Sequence, residues 1–485
     1  MPLNPPSAFS GAALACLEKM QASGVEEKCI HIFLIQHALV RKGETGYIPE
    51  KSIFPVESLP FLQGIETKGE NTALLRQAVV LKLNGGLGTG MGLNGPKSLL
   101  QVKNGQTFLD FTALQLEHFR QVRNCNVPFM LMNSFSTSGE TKNFLRKYPT
   151  LYEVFDSDIE LMQNRVPKIR QDNFFPVTYE ADPTCEWVPP GHGDVYTVLY
   201  SSGKLDYLLG KGYRYMFISN GDNLGATLDV RLLDYMHEKQ LGFLMEVCRR
   251  TESDKKGGHL AYKDVIDETT GQTRRRFVLR ESAQCPKEDE DSFQNIAKHC
   301  FFNTNNIWIN LMELKKMMDE QLGVLRLPVM RNPKTVNPQD SQSTKVYQLE
   351  VAMGAAISLF DRSEAVVVPR ERFAPVKTCS DLLALRSDAY QVTEDQRLVL
   401  CEERNGKPPA IDLDGEHYKM IDGFEKLVKG GVPSLRQCTS LTVRGLVEFG
   451  ADVSVRGNVV IKNLKEEPLI IGNGRVLDNE VVVVE

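Results

Sequence analysis

Residues 81–100, LKLNGGLGTGMGLNGPKSLL, constrain this chain more than any other stretch. They follow residues 78–83, an apolar run that reads as a strand. Five glycines then come in close order: Gly85, Gly86, Gly88, Gly90 and Gly92. They let the backbone turn tightly and bring its N–H groups close to a ligand, as phosphates or the edge of a base require. Lys97 closes the loop with a fixed positive charge, and Pro96 stiffens its approach. Two familiar phosphate loops do not fit. A Walker A loop needs glycine before the lysine, where Pro96 stands. A dinucleotide G-x-G-x-x-G read from Gly86 puts Met91 at the third glycine. A plain flexible turn is the alternative, and it leaves strand, glycines and lysine together unexplained.

A strand that runs into such a loop belongs to an alternating pattern. Candidate strands are 78–83, 128–132, 214–219, 243–247, 302–308 and 365–368. Candidate helices lie at 108–122, 139–147, 194–209, 229–239, 311–321 and 347–360. The alternation predicts an α/β chain with a mostly parallel sheet covered on both faces. Its site then lies beyond the carboxyl ends of the strands. Residues 10–42 read as helical, with Gly43 as a stop. Pro49, Pro55 and Pro60 mark an extended connection. After about residue 385, Val443, Val447, Val453, Val455 and Val459 fall in short strands punctuated by Gly445, Gly450 and Gly457. That near-hexapeptide spacing predicts coils of a β-helix, with a β-meander as the alternative.

Composition excludes several classes. With 62 acidic and 57 basic residues the net charge is -5, which gives no nucleic-acid surface. No apolar run approaches the ~20 residues of a membrane span. The 10 cysteines include no CxxC pair, as expected for reduced thiols in the cytoplasm. MPLNPPSAFSG has no basic n-region before an apolar run, so no secretory signal is expected. Import into an organelle stays open.

Four further motifs carry chemistry. In RYMFISNGDNLGATLD an apolar strand ends in Asn220, Gly221, Asp222 and Asn223. A carboxylate there can hold Mg²⁺, which takes few protein ligands; a simple Asp–Asn turn is the alternative. EWVPPGHGDVYTVL places Gly191, His192 and Gly193 before a helix, where His192 can donate to a sugar or phosphate oxygen. ERFAPVKTCSDLL puts Lys377 in a loop between strand and helix, either reaching a phosphate or simply solvated. FFNTNNIW, with KKGGH upstream, sets Asn303, Asn305 and Asn306 in an apolar strand. Such amides need partners, either sugar hydroxyls or neighbouring loops.

Taken in order, LNGGLGT, LMNSF, PPGHGD, DNLGAT, MEV, KGG, FNTNN and PVKT-x-SDLL resemble the eukaryotic-type UDP-glucose pyrophosphorylase family, from about residue 75 onward. The resemblance implies a modified doubly wound (Rossmann-like) nucleotidyltransferase domain at 46–385. A helical region at 1–45 would precede it, and a left-handed β-helix at 386–485 would follow. It implies uridylyl transfer between UTP and glucose 1-phosphate, giving UDP-glucose and pyrophosphate reversibly with Mg²⁺. By the same resemblance Leu83, Asn84, Gly85, Gly86, Gln163 and Gly191 hold the uridine. Asp222 binds the metal, and Lys97 and Lys377 clamp the phosphates. His192, Asn220, Gly258, Glu281, Asn303 and Asn305 surround the sugar phosphate. Gly90 and Leu93-Asn94 depart from the family pattern. The chain stops soon after Val484, without the further strand of assembling members, so a monomer is expected.

Overall fold

The computed structural model of the protein describes residues 11–66, 72–152, 159–266 and 271–485. Residues 1–10, on which the reading of the leader and the start of the N-terminal region rest, lie outside them. A ten-stranded mixed sheet forms the centre. Its strands are β1 (Phe54–Pro55), β2 (Ala78–Asn84), β3 (Phe129–Asn133), β4 (Glu160–Met162), β5 (Tyr215–Asn220), β6 (Phe243–Arg249), β7 (His259–Ile266), β8 (Thr273–Arg280), β9 (Phe301–Asn310) and β10 (Ser363–Val367). Along the sheet the order is β1-β7-β9-β5-β2-β3-β4, with β8 on β7, and with β6 pairing β9 and β10.

The middle strands are apolar without alternation because both faces are covered. Val79, Leu81, Met216, Phe217 and Ile218 are fully or almost fully buried. β2 runs parallel to β5 and to β3, so their carboxyl ends open on one side of the molecule. There Asn220 stands opposite Leu83. Helices Phe108–Arg123 and Val230–Glu238 pack onto the sheet. The first opens with a capping box between Thr107 and Asp110, and Asp229 caps the second.

The sheet is mixed where alternation alone predicts parallel strands. β6 leads into the β7–β8 hairpin, and the chain returns as β9, antiparallel to both β5 and β6. One predicted helical stretch resolves into two helices, and two predicted helices differ. The 10–42 stretch is two helices, Gly11–Ala22 and Glu27–Arg41, parted at Gly24 with φ 67°. The 194–209 stretch is Asp194–Ser201 and Lys204–Gly210, parted at Gly203 with φ 72°. The 347–360 stretch is a strand, Lys345–Glu350, followed by the 3₁₀ turn Met353–Ser358. Val346 and Leu349 are buried as the strand pairs with Met330–Thr335, and Val351 N–H then donates to Pro190 O at 2.9 Å.

Past a short antiparallel pair, Tyr390–Val392 with Leu398–Leu400, the C-terminal strands from Ala410 onward pair in parallel. Ala410–Leu413, Ser434–Arg444 and Ser454–Asn463 stack in that order, and Val476–Asp478 and Val481–Val484 both lie on the last of them. Parallel pairing rules out a meander. Val443, Val447, Val453, Val455 and Val459 face the same core. Met91, Phe108, Phe111 and Leu224 belong to that core too, so the C-terminal strands pack beneath the glycine-rich loop.

One buried polar network ties the sheet together. The Glu246 carboxylate is fully buried on β6. Arg372 grips it with two bonds of 2.7 Å, Trp308 Nε1 donates at 2.9 Å and Asn306 Nδ2 at 3.0 Å. Burial opposes the Arg372 charge, but the Glu246 carboxylate outweighs it and raises the guanidinium further. Arg372→Met is expected to lower stability by about 3–5 kcal/mol, seen as a lower urea midpoint, because it strands a buried carboxylate. The double change with Glu246→Met should recover most of that loss.

Candidate active site

The site is built where β2 and β5 end. Asn84 closes β2, and its Nδ2 donates to Asn133 Oδ1 at 2.7 Å and to Thr141 Oγ1 at 3.0 Å, which fixes the strand end. The loop then turns through Gly88 (φ 66°) and Gly92 (φ 74°), both left-handed. Lys97 N–H donates back to Gly86 O at 3.1 Å. A Cβ on Gly88 would lie 3.3 Å from Lys97 Cβ, so the lysine stem crosses bare backbone. Its Nζ reaches Asp222 Oδ2 at 2.6 Å, with both side chains about one-fifth exposed (18% and 19%). Asp222 is held by the turn after β5, where Gly221 N–H donates to Leu83 O at 2.9 Å.

Gln163 and the Pro190–His192 segment form the facing wall. Gln163 follows β4; its N–H donates to Asn133 O at 2.8 Å and its Nε2 to Gly191 O at 2.9 Å. Its Oε1 lies only 2.6 Å from where a Cβ on Gly85 would stand, so a side chain there would collide with the amide. The next residue, Asn164, is clamped by Asp194 through bonds of 2.8 and 3.0 Å. Burial pushes the Asp194 carboxyl up to about 6. Gly191 has φ 86°, and a Cβ would be 2.5 Å from Val351 O, so only glycine fits. His192 Nδ1 accepts from Met353 N–H at 3.0 Å. Burial pushes the imidazole down to about 4. It is therefore neutral near pH 7, with its proton on Nε2.

One cleft of about 530 Å³ gathers Leu83, Asn84, Gly85, Gly86, Lys97, Gln163, Gly191, His192, Asn220 and Asp222. Gly258, Glu281, Asn303 and Asn305 do not line it and form a second cluster. A Cβ on Gly258 would lie 2.3 Å from Glu281 Oε2, and Asn303 N–H donates to Gly258 O at 3.2 Å. Asn303 Nδ2 donates to Asn305 Oδ1 at 2.8 Å, so these amides already satisfy part of each other. Met353 and Gly354 join the clusters, since Met353 bonds His192 and Gly354 packs against Asn303. Burial raises the Glu281 carboxyl, against the pull of Lys377. Lys377 itself is exposed and lies just before the capping box of Thr378 and Asp381.

Sequence reasoning missed two features. Glu350 lines the cleft, with its carboxyl raised by burial. Nothing in KVYQLE marks it, because its role depends on the strand pairing beside Gly191. Lys82 is buried, donates to Ala226 O at 2.7 Å and is pushed down to about 7 by burial. It lines a separate cavity of about 560 Å³ with Val80, Gln115 and Arg372. That cavity is slightly larger, yet it contains none of the predicted site residues and no glycine loop, so the cleft at the strand ends is the candidate site.

Among the described residues no three His, Cys, Asp or Glu side chains gather as a metal cage. The cleft holds two carboxylates, Asp222 beside Asn220 and Glu350 next to Gly191; the Asp222 side fits a hard cation that draws its remaining ligands from phosphates and water.

The sequence model of the family described as UTP–glucose-1-phosphate uridylyltransferase matches residues 32–456. Curated relatives of that name include the Saccharomyces cerevisiae protein, 42% identical over 86% of this chain and 80% of its own length. The Hordeum vulgare protein is 41% identical over 84% of this chain and 82% of its own. Among solved structures, a UDP-glucose phosphorylase from Trypanosoma brucei is 98% identical, covering 98% of this chain and 100% of that one, with a TM-score of 0.91. A substituted UDP-glucose pyrophosphorylase from Leishmania major, solved in complex with UDP-glucose, is 57% identical over 98% of this chain and 100% of that one, with a TM-score of 0.92. The chain belongs to the UTP–glucose-1-phosphate uridylyltransferase family.

Proposed function

We propose that this chain transfers a uridylyl group between UTP and glucose 1-phosphate, forming UDP-glucose and pyrophosphate reversibly. The observation that carries the reading is the Lys97–Asp222 pair beneath the glycine loop, at the joined ends of β2 and β5. It puts a fixed cation and an anionic metal ligand where a triphosphate would enter over open backbone.

The uracil reading follows from hydrogen-bond inventory. Gln163 spends an amide proton on Gly191 O, which leaves Oε1 to accept from uracil N3–H. Cytosine has no proton on N3 and is refused. Backbone N–H groups of the loop from Leu83 to Gly86 meet the base oxygens and the ribose side. Lys97 and Lys377 flank the phosphates and offset the charge of two polyanions brought together. An oxygen of the sugar phosphate attacks the α-phosphorus in line, and pyrophosphate leaves. That oxygen already carries charge near neutral pH, so no side chain removes a proton. His192 donates from Nε2 as a neutral group, which orients without changing charge. Asn220, Gly258, Glu281, Asn303 and Asn305 are assigned to the glucose phosphate. Mg²⁺, held by Asp222, would supply charge neutralisation on the phosphate oxygens.

The same reading assigns residues 46–385 to catalysis, 1–45 to a helical flank and the parallel C-terminal stack to coils of a left-handed β-helix. All 10 cysteines are free thiols, which suits a reducing compartment such as the cytoplasm.

Pyrophosphate release from UTP and glucose 1-phosphate tests the reaction. Lys97→Ala and Asp222→Ala should each lower kcat by about 100-fold or more while UTP binding survives. UTP binding by the wild type without any release would instead favour a nucleotide sensor. The pH dependence offers a second check. Because His192 titrates near 4, kcat should show no inflection from it between about pH 5 and 8. A histidine-like inflection near pH 6.5 that disappears in His192→Asn would sink the neutral-donor role.

A further inference from the structure

Asp222 and Lys377 sit on chain segments far apart in sequence, yet the proposed chemistry needs them at a fixed separation. Asn223 lies between them. It follows Asp222 directly and is 1% exposed. Its Nδ2 donates to Arg372 O at 3.0 Å and to Asn306 Oδ1 at 3.2 Å. Its Oδ1 accepts from Ala374 N–H at 3.0 Å and from Gly225 N–H at 3.3 Å. Both amide protons and both lone pairs are thus engaged. Three of these partners lie outside the Asp222 turn. An isolated antiparallel bridge also pairs Asn223 with Pro375, two residues before Lys377.

The surroundings make this contact stiff. Gly225 lets the turn close on the facing segment, since a Cβ there would lie 2.0 Å from Glu371 O. Arg372 O accepts from Asn306 as well, at 3.1 Å. The Arg372 guanidinium is locked on Glu246, and its Nη2 also donates to Thr227 O at 2.8 Å. The segment that carries Lys377 therefore cannot slide along the Asp222 turn without breaking buried bonds, each costly to leave unmade.

We propose that Asn223 is a positioning residue for uridylyl transfer: its amide sets the spacing between Asp222 and Lys377, without touching substrate itself. The inference rests on the reaction proposed above. A shift of about 1 Å between reacting partners costs on the order of 100-fold in rate. Base recognition, by contrast, lies on the opposite wall at Gln163 and Gly191, and makes no contact with Asn223.

The test is a double-mutant cycle on the full-length protein. Asn223→Leu keeps the branch at Cγ and removes all four bonds. It should lower kcat by about 10- to 100-fold. Calorimetric titration with UTP should give a dissociation constant within about twofold of wild type, because binding and transition-state terms separate. In a Lys377→Ala background the further loss on adding Asn223→Leu should fall below about threefold, since residues acting through one another are not additive. If Asn223→Leu does not fold, Asn223→Asp supplies the same cycle, because it keeps both accepted bonds and loses both donated ones. Full multiplicative losses, unchanged kcat, or a loss confined to UTP affinity would overturn the positioning role. A wild type that forms no UDP-glucose would instead remove the reaction on which the inference rests.

Discussion

A single carboxylate with no exposure to water, Glu246, is the constraint on which the rest of the site depends. Left alone in the sheet it would be strongly destabilising, so its neighbours are committed to it. Arg372 comes from the loop after β10, Trp308 and Asn306 from β9, and Thr304 Oγ1 donates to the Glu246 carbonyl at 2.7 Å. Phe217 of β5 packs on the Trp308 ring, with centroids 4.6 Å apart. A fully satisfied network of this kind is rigid because no member can leave without orphaning another. Rigidity is what a phosphoryl-type transfer demands of its framework, since positioning and charge do nearly all the work.

Above this foundation the site is sparse. The glycine loop contributes bare backbone, Lys97 contributes charge, and Asp222 and Glu350 contribute carboxylates. The carboxyl ends of parallel β2 and β5 bring these parts together, as open α/β sheets generally do. The C-terminal strands also take part, because Met91 at the tip of the glycine loop is buried in their core, and Met420 lies 3.0 Å from where a Cβ on Gly92 would be. The loop is thus anchored at both ends and in the middle.

Much of this was legible in the residues. Five glycines after an apolar strand can serve little other than close approach to a ligand, and Asp222 ends a strand whose apolar run is unmistakable. Local chemistry of that kind survives translation into three dimensions. Strand direction does not. β9 has the same apolar texture as β5, and only the intervening hairpin reverses it. Residues 347–360 have an apolar spacing compatible with a helix, but pairing with Met330–Thr335 decides the matter, and that partner is remote from the pattern itself. The Glu246–Arg372 pair was invisible for the same reason: its members are 126 residues apart, and although MEV and ERFAPVKTCSDLL contain them, neither motif says that the two side chains meet.

The asparagines of β9 show how a weak point in a strand can be useful. Pairing with β6 runs in register to Glu246 opposite Asn306, then resumes with Val247 opposite Asn303. The two residues between are extruded as a bulge, and Asn305 takes the left-handed conformation at φ 58°. Pairing of β9 with β5 ends at Ile307 opposite Ile218, and His259 of β7 takes the edge at Phe302. The bulge therefore peels β9 away from β5 at the level of Asn220. A protein engineer optimising this strand by propensity would replace Asn305 with valine or isoleucine, and the substitution would favour straightening it. Greater regularity would then work against the bulge, so at this position raising strand propensity opposes the left-handed conformation that the fold holds.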